Sequence, residues 1–213
     1  MIDKILSLES AKGELERGGV ILYPTETFFA IGCNAMNPDA VGKVFAVKKR
    51  TMDLPLPVVI GETSDVFSLA RDVSPLAQKL MDVFWPGSLS IILQALPEVP
   101  DLLLANAGRI AVRHSPHPAA ARLCRESGMV LVSSSANITG NPPPSEMNDI
   151  SPEIIAGTAG IFMDGPLPEG GLPSTIVDVI EEGGEEVVRI LRDGRVTAQK
   201  IKEAGFMVSN ENP

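Results

Sequence analysis

The chain has few residues with which to cross-link or clamp itself: two cysteines, one tryptophan and one tyrosine among 213 residues. Cys33 and Cys124 show no Cys-x-x-Cys spacing, which argues against a disulfide scaffold, a redox pair or a zinc ribbon, and both are expected as buried free thiols. Positive charge is also scarce, with 18 Lys and Arg against 27 Asp and Glu and a formal charge of −9. That balance argues against a broad basic face for nucleic acid, so a polyanion has to be held by a small local cluster. No apolar run approaches the roughly 20 residues that span a bilayer. Met1 to Leu6 lack the long apolar core and cleavage site of a leader, so a cytoplasmic location is expected and no membrane. Neither a Gly-x-x-x-x-Gly-Lys-Ser/Thr loop nor a Gly-x-Gly-x-x-Gly turn occurs, and any nucleotide must therefore sit in a different cradle. His114 and His117 are the only histidines. Pro116 and Pro118 break the helix that would align them as metal ligands, so they are read as loop residues and no side-chain metal site is assigned.

What the chain does have is a globular balance, 44% hydrophobic and 21% charged, and enough length for one large domain. Ile5, Leu8, Ala11 and Leu15 recur at helical spacing and stop at Gly18-Gly19, after which Val20 to Tyr23 reads as a buried strand. Further helices are predicted over Asp39 to Lys48, from the Ser74-Pro75 cap to Phe84, over Pro118 to Ser127 and after the Thr197 cap. Strands are predicted over Pro57 to Ile60, Ser88 to Leu93, Arg109 to Arg113 and Met129 to Val132. A last pair, Thr175 to Ile180 and Glu186 to Leu191, joins through Glu182-Gly183-Gly184 as an antiparallel hairpin. The expected architecture is α/β: a single domain with a twisted mixed parallel and antiparallel sheet flanked by helices, spanning 1–208, with 209–213 as a flexible tail. No internal repeat is visible, and the Pro/Gly stretch from Gly140 to Pro144 reads as a site loop.

Ligands of such sheets gather at strand ends, and four strand-end or helix-end segments carry unusual residues. Tyr23-Pro24-Thr25-Glu26-Thr27 offers two hydroxyls and a carboxylate, which suit either a small polar substrate or a helix N-cap. Lys48-Lys49-Arg50 can grip a triphosphate, or simply complement a helix C-terminus. Arg109 and Arg113 fall on one face of a strand and can both point into a crevice, one of them holding a carboxylate. Beside them, Ser133-Ser134-Ser135-Ala136-Asn137 is either a donor-rich anion loop or a turn with Asn137 left-handed. Finally, hairpin pairing can bring Ser174 of Pro173-Ser174-Thr175 next to Arg192 of Arg192-Asp193-Gly194, or these are ordinary strand ends.

The order of these segments along residues 10 to 200 resembles the YrdC-like threonylcarbamoyl-AMP synthase family. The resemblance rests on Tyr23 to Thr27, Lys48-x-Arg50, Trp85-Pro86-Gly87-Ser88-Leu89, Ala111-Val112-Arg113, Ser134 to Gly140, Pro173-Ser174-Thr175 and Leu191-Arg192-Asp193-Gly194. It implies a YrdC-like, double-stranded-RNA-binding-like fold with a concave site. It also implies a nucleotidyltransferase that joins L-threonine, bicarbonate and ATP, with Mg²⁺, for threonylcarbamoyladenosine modification of tRNA. By position, Lys48 and Arg50 correspond to the catalytic pair on the ATP phosphates, with Asn137, Ser145 and Arg192 as further ATP contacts. Thr27, Arg113, Ser135 and Ser174 correspond to threonine contacts, Arg113 taking the carboxylate. A downstream tRNA threonylcarbamoyl-transferase complex and a possible RNA contact are implied as partners. The alternatives are a paralogue with another carbamoyl or adenylyl transfer and a noncatalytic RNA-binding module. Phe28-Phe29-Ala30 stands where the family commonly has Val-Tyr-Gly, a change that would strain Ala30 if its φ were positive. Leu54 and Val59 replace frequent Asn and His.

Overall fold

The computed structural model describes residues 4–104 and 108–209. In chain order its elements are β1 (Ile5–Leu6), α1 (Leu8–Glu16), β2 (Ile21–Pro24), β3 (Phe29–Gly32), α2 (Pro38–Lys48), β4 (Val58–Ile60), α3 (Pro75–Phe84), β5 (Leu89–Gln94) and β6 (Arg109–His114). There follow α4 (Pro118–Ser127), β7 (Leu131–Val132), β8 (Ser134–Ser135), α5 (Pro152–Ala156), β9 (Ile161–Phe162), β10 (Thr175–Glu182), β11 (Glu185–Arg192) and α6 (Ala198–Glu203). The mixed α/β class is as expected, but the strands form two sheets rather than one. The first runs β1-β9-β2-β3-β8 and the second β11-β10-β5-β6-β4-β7.

Helix starts follow their caps. The Ser7, Asn37, Ser74 and Thr197 side chains each accept the amide three residues on, and proline occupies the first turn of α2 to α5. The cap at Ser7 corrects the first helix, because Ile5 lies in strand β1 before it, 68% exposed and paired with Ile161. Alternation in β2 and β3 explains why both faces are apolar. Leu22, Phe29 and Ile31 enter the main core with α2 and α3, whereas Ile21, Tyr23 and Ala30 enter a second core against α1 and α4. Strands buried on both faces lose the polar alternation that would mark them, so β3 was not predicted. Cys33 and Cys124 are buried and unpaired. Ser209 donates its amide to Val188 (2.9 Å), and the rest of the expected tail, 210–213, lies outside the described residues, as do Met1 to Asp3.

The two sheets exchange one stretch of chain. Leu131–Val132 pairs with β4 in the second sheet, Ser133 donates to Pro57 O (2.9 Å), and Ser134–Ser135 then pairs with β3 in the first. This crossing lies beside the end of the second sheet at which β5 and β10 begin and β6 and β11 finish.

Candidate active site

At that crossing is a hollow of about 310 Å³. Its lining includes Thr27, Arg50, Arg113, Ser135, Asn137, Ser174 and Arg192, seven of the nine residues singled out from sequence. Local chain geometry explains how each arrives. Thr25 is no helix cap: its N–H and hydroxyl both donate to Phe28 O (3.1 and 2.8 Å), closing the turn from β2 to β3 and leaving Thr27 at the hollow. Helix α2 ends at Lys49, whose φ of 50° is left-handed, an unusual conformation for a non-glycine residue that turns the chain so that Arg50 reaches the lining. Arg50 donates to Leu54 O (2.9 Å) and Pro55 O (3.1 Å). On the opposite side, the hairpin brings Arg192 onto Ser174 as expected, donating to its carbonyl (2.7 Å) and hydroxyl (3.0 Å).

Two expected residues are placed elsewhere. Lys48 is 1% exposed and lies beneath the lining, its ammonium donating to Ser135 O and to Asn137 O (2.7 Å). The cation thus holds the serine–asparagine loop by its carbonyls. Ser145 lies outside the hollow, beside Gly170. The two strand arginines also part company. Arg113 ion-pairs with Glu26, whereas Arg109 pairs with Asp178 (2.7 Å) in a separate depression, because four residues of strand separate them by roughly 13 Å. Asn137 is not left-handed: Lys49 and Asp72 are the non-glycine positive-φ residues among those described. Ala30 is therefore unstrained. Leu54 lends its carbonyl to Arg50, and Val59 faces the second core rather than the hollow. His114 ends β6 rather than lying in a loop, and His117 caps α4 by accepting from Ala119 N (3.2 Å).

Electrostatically the hollow is a cage of confined cations. Burial, followed by the charge of Arg50, pushes the Lys48 ammonium down to about 7. Desolvation, then the charges of Arg113 and Arg50, lowers the basicity of Arg192. Burial pushes the Glu26 carboxyl up, but Arg113 and the hydroxyls of Ser115 and Ser88, with its own backbone, together hold it below the usual range. Among the described residues Asn137 Oδ1 is buried without a hydrogen-bond partner, while its amide nitrogen donates to Asn141 O (2.6 Å). Phe28, Phe29 and Ala30 line the hollow, and a residue that the sequence did not single out is Ser90. Ser90 had a signal, a hydroxyl inside the apolar run Leu89-Ser90-Ile91-Ile92 and now fully buried, with Ser174 Oγ 3.3 Å away.

The Lys48 shift has a testable sign. Its folded-state value lies below the unfolded one, so the unfolded chain binds the extra proton between about pH 7 and 10.5 and stability rises with pH across that window. Melting temperatures measured at pH 7 and pH 9.5 should rise more for the wild type than for Lys48→Met. Parallel curves would place the ammonium in an ordinary environment.

Three arginines and several hydroxyls around one open recess define an α/β protein whose site suits an anionic ligand. The chain belongs to the Sua5_yciO_yrdC family, described as telomere recombination, whose model matches residues 14–194. A threonylcarbamoyl-AMP synthase of Bacillus subtilis is 32% identical over 215 residues, covering 97% of this chain and 61% of that protein. One from Xylella fastidiosa is 36% identical over 177 residues, covering 81% of this chain and 93% of that protein. The crystal structure of P. abyssi Sua5 complexed with L-threonine superposes with a TM-score of 0.85 at 26% identity, over 97% of this chain and 61% of that one. The chain thus spans about three fifths of its longer relatives and nearly all of a shorter one. Among the described residues, no helix is long and apolar enough to cross a membrane.

Proposed function

We propose that this chain makes threonylcarbamoyl-AMP and pyrophosphate from L-threonine, bicarbonate and ATP. One observation carries the reading: three of the five residues matched to ATP contacts, Arg50, Asn137 and Arg192, and all four matched to threonine contacts, Thr27, Arg113, Ser135 and Ser174, line the same hollow. The threonine-bound relative supports the amino acid.

In this reading the threonine amine captures bicarbonate with loss of water, giving an N-carboxylate. One of its oxygens attacks the α-phosphorus of ATP, a P–O bond forms, and the bond to pyrophosphate breaks. Negative charge gathers on phosphate oxygens, and Arg50 and Arg192 stabilise it from opposite walls in a partly dehydrated recess. Arg113 holds the threonine carboxylate, and Lys48 keeps the Ser135–Asn137 loop in register beneath the nucleotide. The lining carries no carboxylate, and no group of three His, Cys, Asp or Glu among the described residues is arranged to hold a metal ion. Mg²⁺ would therefore enter with the nucleotide rather than be held by side chains, and would supply charge neutralisation there. The product passes to a transferase that modifies an adenosine of tRNA.

The test is pyrophosphate release from ATP and bicarbonate with threonine, with serine and with no amino acid. Threonine should support turnover, and serine should be poorer by roughly 10- to 200-fold, the scale of one methyl group in a shaped pocket. Release that ignores the amino acid would contradict the reading.

A further inference from the structure

Three arginines line the hollow, but only one of them is held by a carboxylate. Arg50 is satisfied by the carbonyls of Leu54 and Pro55, and Arg192 by the carbonyl and hydroxyl of Ser174, all neutral groups. Arg113, by contrast, is 5% exposed and ion-paired with Glu26. Glu26 does not itself line the hollow. Its carboxylate is fixed from three directions: Oε1 accepts from Arg113 and from Ser88 Oγ (2.9 Å), and Oε2 accepts from Ser115 Oγ (2.6 Å). Ser115 Oγ in turn accepts from His117 N (3.2 Å) at the cap of α4. The β2–β3 turn, the start of β5 and the approach to α4 are thereby locked around one buried ion pair.

We propose that Glu26 is a positioning residue that orients Arg113 to receive the carboxylate of the amino-acid substrate, an inference that rests on the function proposed above. A guanidinium forks onto a carboxylate only when its plane is correctly set, and a buried plane is set by its other partner. Simple electrostatics and positioning make opposite forecasts here. Removing the Glu26 charge leaves the hollow more positive, which by itself strengthens the binding of every anion. Removing the orienting partner weakens the binding of one anion only, the carboxylate that Arg113 receives.

The experiment is calorimetric titration of L-threonine, and separately of ATP, into the wild type, Glu26→Gln, Glu26→Asp and the double variant Ser88→Ala/Ser115→Ala, with a melting curve for each. Pyrophosphate release by the wild type is measured alongside. Glu26→Gln should raise the threonine Kd at least ~10-fold, a loss of about 1.4 kcal/mol, while the ATP Kd changes by less than about twofold. Glu26→Asp, which keeps the charge, should recover part of the loss. The serine pair keeps both charges and loosens only the clamp, so its threonine Kd should also rise with ATP unmoved. That variant decides the matter if Glu26→Gln fails to fold. Unchanged or tighter threonine binding overturns the inference, and so does an equal loss for both ligands, which marks general loosening. A wild type that binds threonine yet releases no pyrophosphate overturns the proposed reaction and leaves the role of Glu26 to the titrations. A wild type that binds no threonine overturns both.

Discussion

Replacing Lys48 with alanine should lower threonine-dependent pyrophosphate release at least ~10-fold, the rate equivalent of about 1.4 kcal/mol, because Lys48 holds the loop that lines the site rather than the reacting phosphates. The loss arises in two ways. The ammonium holds Ser135 O and Asn137 O from below; without it Asn137 O loses its donor, at roughly 1–3 kcal/mol, and Ser135 O keeps the Asn137 N–H (2.9 Å). The loop they belong to carries the Ser135 and Asn137 contacts of the hollow, and it is tied to α2 again by Thr139 N donating to Lys48 O (2.9 Å). Single-turnover measurements at saturating ATP and threonine separate this from weak binding, because a displaced loop lowers the chemical step even when both substrates are bound. A folded Lys48→Ala protein with turnover near that of the wild type would remove Lys48 from the account.

Gly194→Ala should be comparably damaging, although position 194 needs no unusual backbone angle. A methyl group there would lie 2.4 Å from Pro173 O, 2.6 Å from Thr175 N and 2.7 Å from Ser174 C. All three are backbone atoms, so nothing flexible can yield, and the segment carrying Ser174 must move away from the strand end carrying Arg192. Overpacking of this kind costs roughly 1–3 kcal/mol. For a chain of this size that corresponds to a melting-point fall of roughly 2–12 °C. The Arg192–Ser174 contacts, which join the proposed phosphate side to the proposed threonine side, should break with it, and turnover should fall at least ~10-fold, the rate equivalent of about 1.4 kcal/mol. Wild-type melting and turnover in Gly194→Ala would show that the two segments are not in register as described.

Much of this arrangement was legible in the chain because it depends on local signals. Ser74-Pro75, Pro118 and Gly128 bracket helices by capping chemistry, and Gly183-Gly184 turns the last hairpin, whose pairing, with an irregularity at Ile176–Val177, brings Arg192 to the end of the strand that Ser174 precedes. What could not be read was set by distant partners. Lys48 looked like a solvated cation or a phosphate grip, and only the arrival of the 135–137 loop, nearly ninety residues on, buries it under two carbonyls. Glu26 looked like a first-turn acid of a helix, but its neighbours Ser88, Arg113 and Ser115 come from the start of β5, the end of β6 and the residue beyond it. Arg109 and Arg113 share a strand face in sequence terms, yet each is captured by a different carboxylate. The division into two sheets was hidden for a similar reason, since Leu131 to Ser135 serves both and its apolar and serine halves give no local mark of the change.

The proposed reaction requires nucleotide and amino acid to share the recess where the sheets cross. The most direct measurement is a crystal structure of this chain with L-threonine and a non-hydrolysable ATP analogue. The expected result is a triphosphate between Arg50 and Arg192, with the threonine carboxylate on Arg113 and its amine turned toward the α-phosphate. Either ligand bound outside this recess, or the two bound too far apart for a carboxylated amine to reach the α-phosphorus, would contradict it.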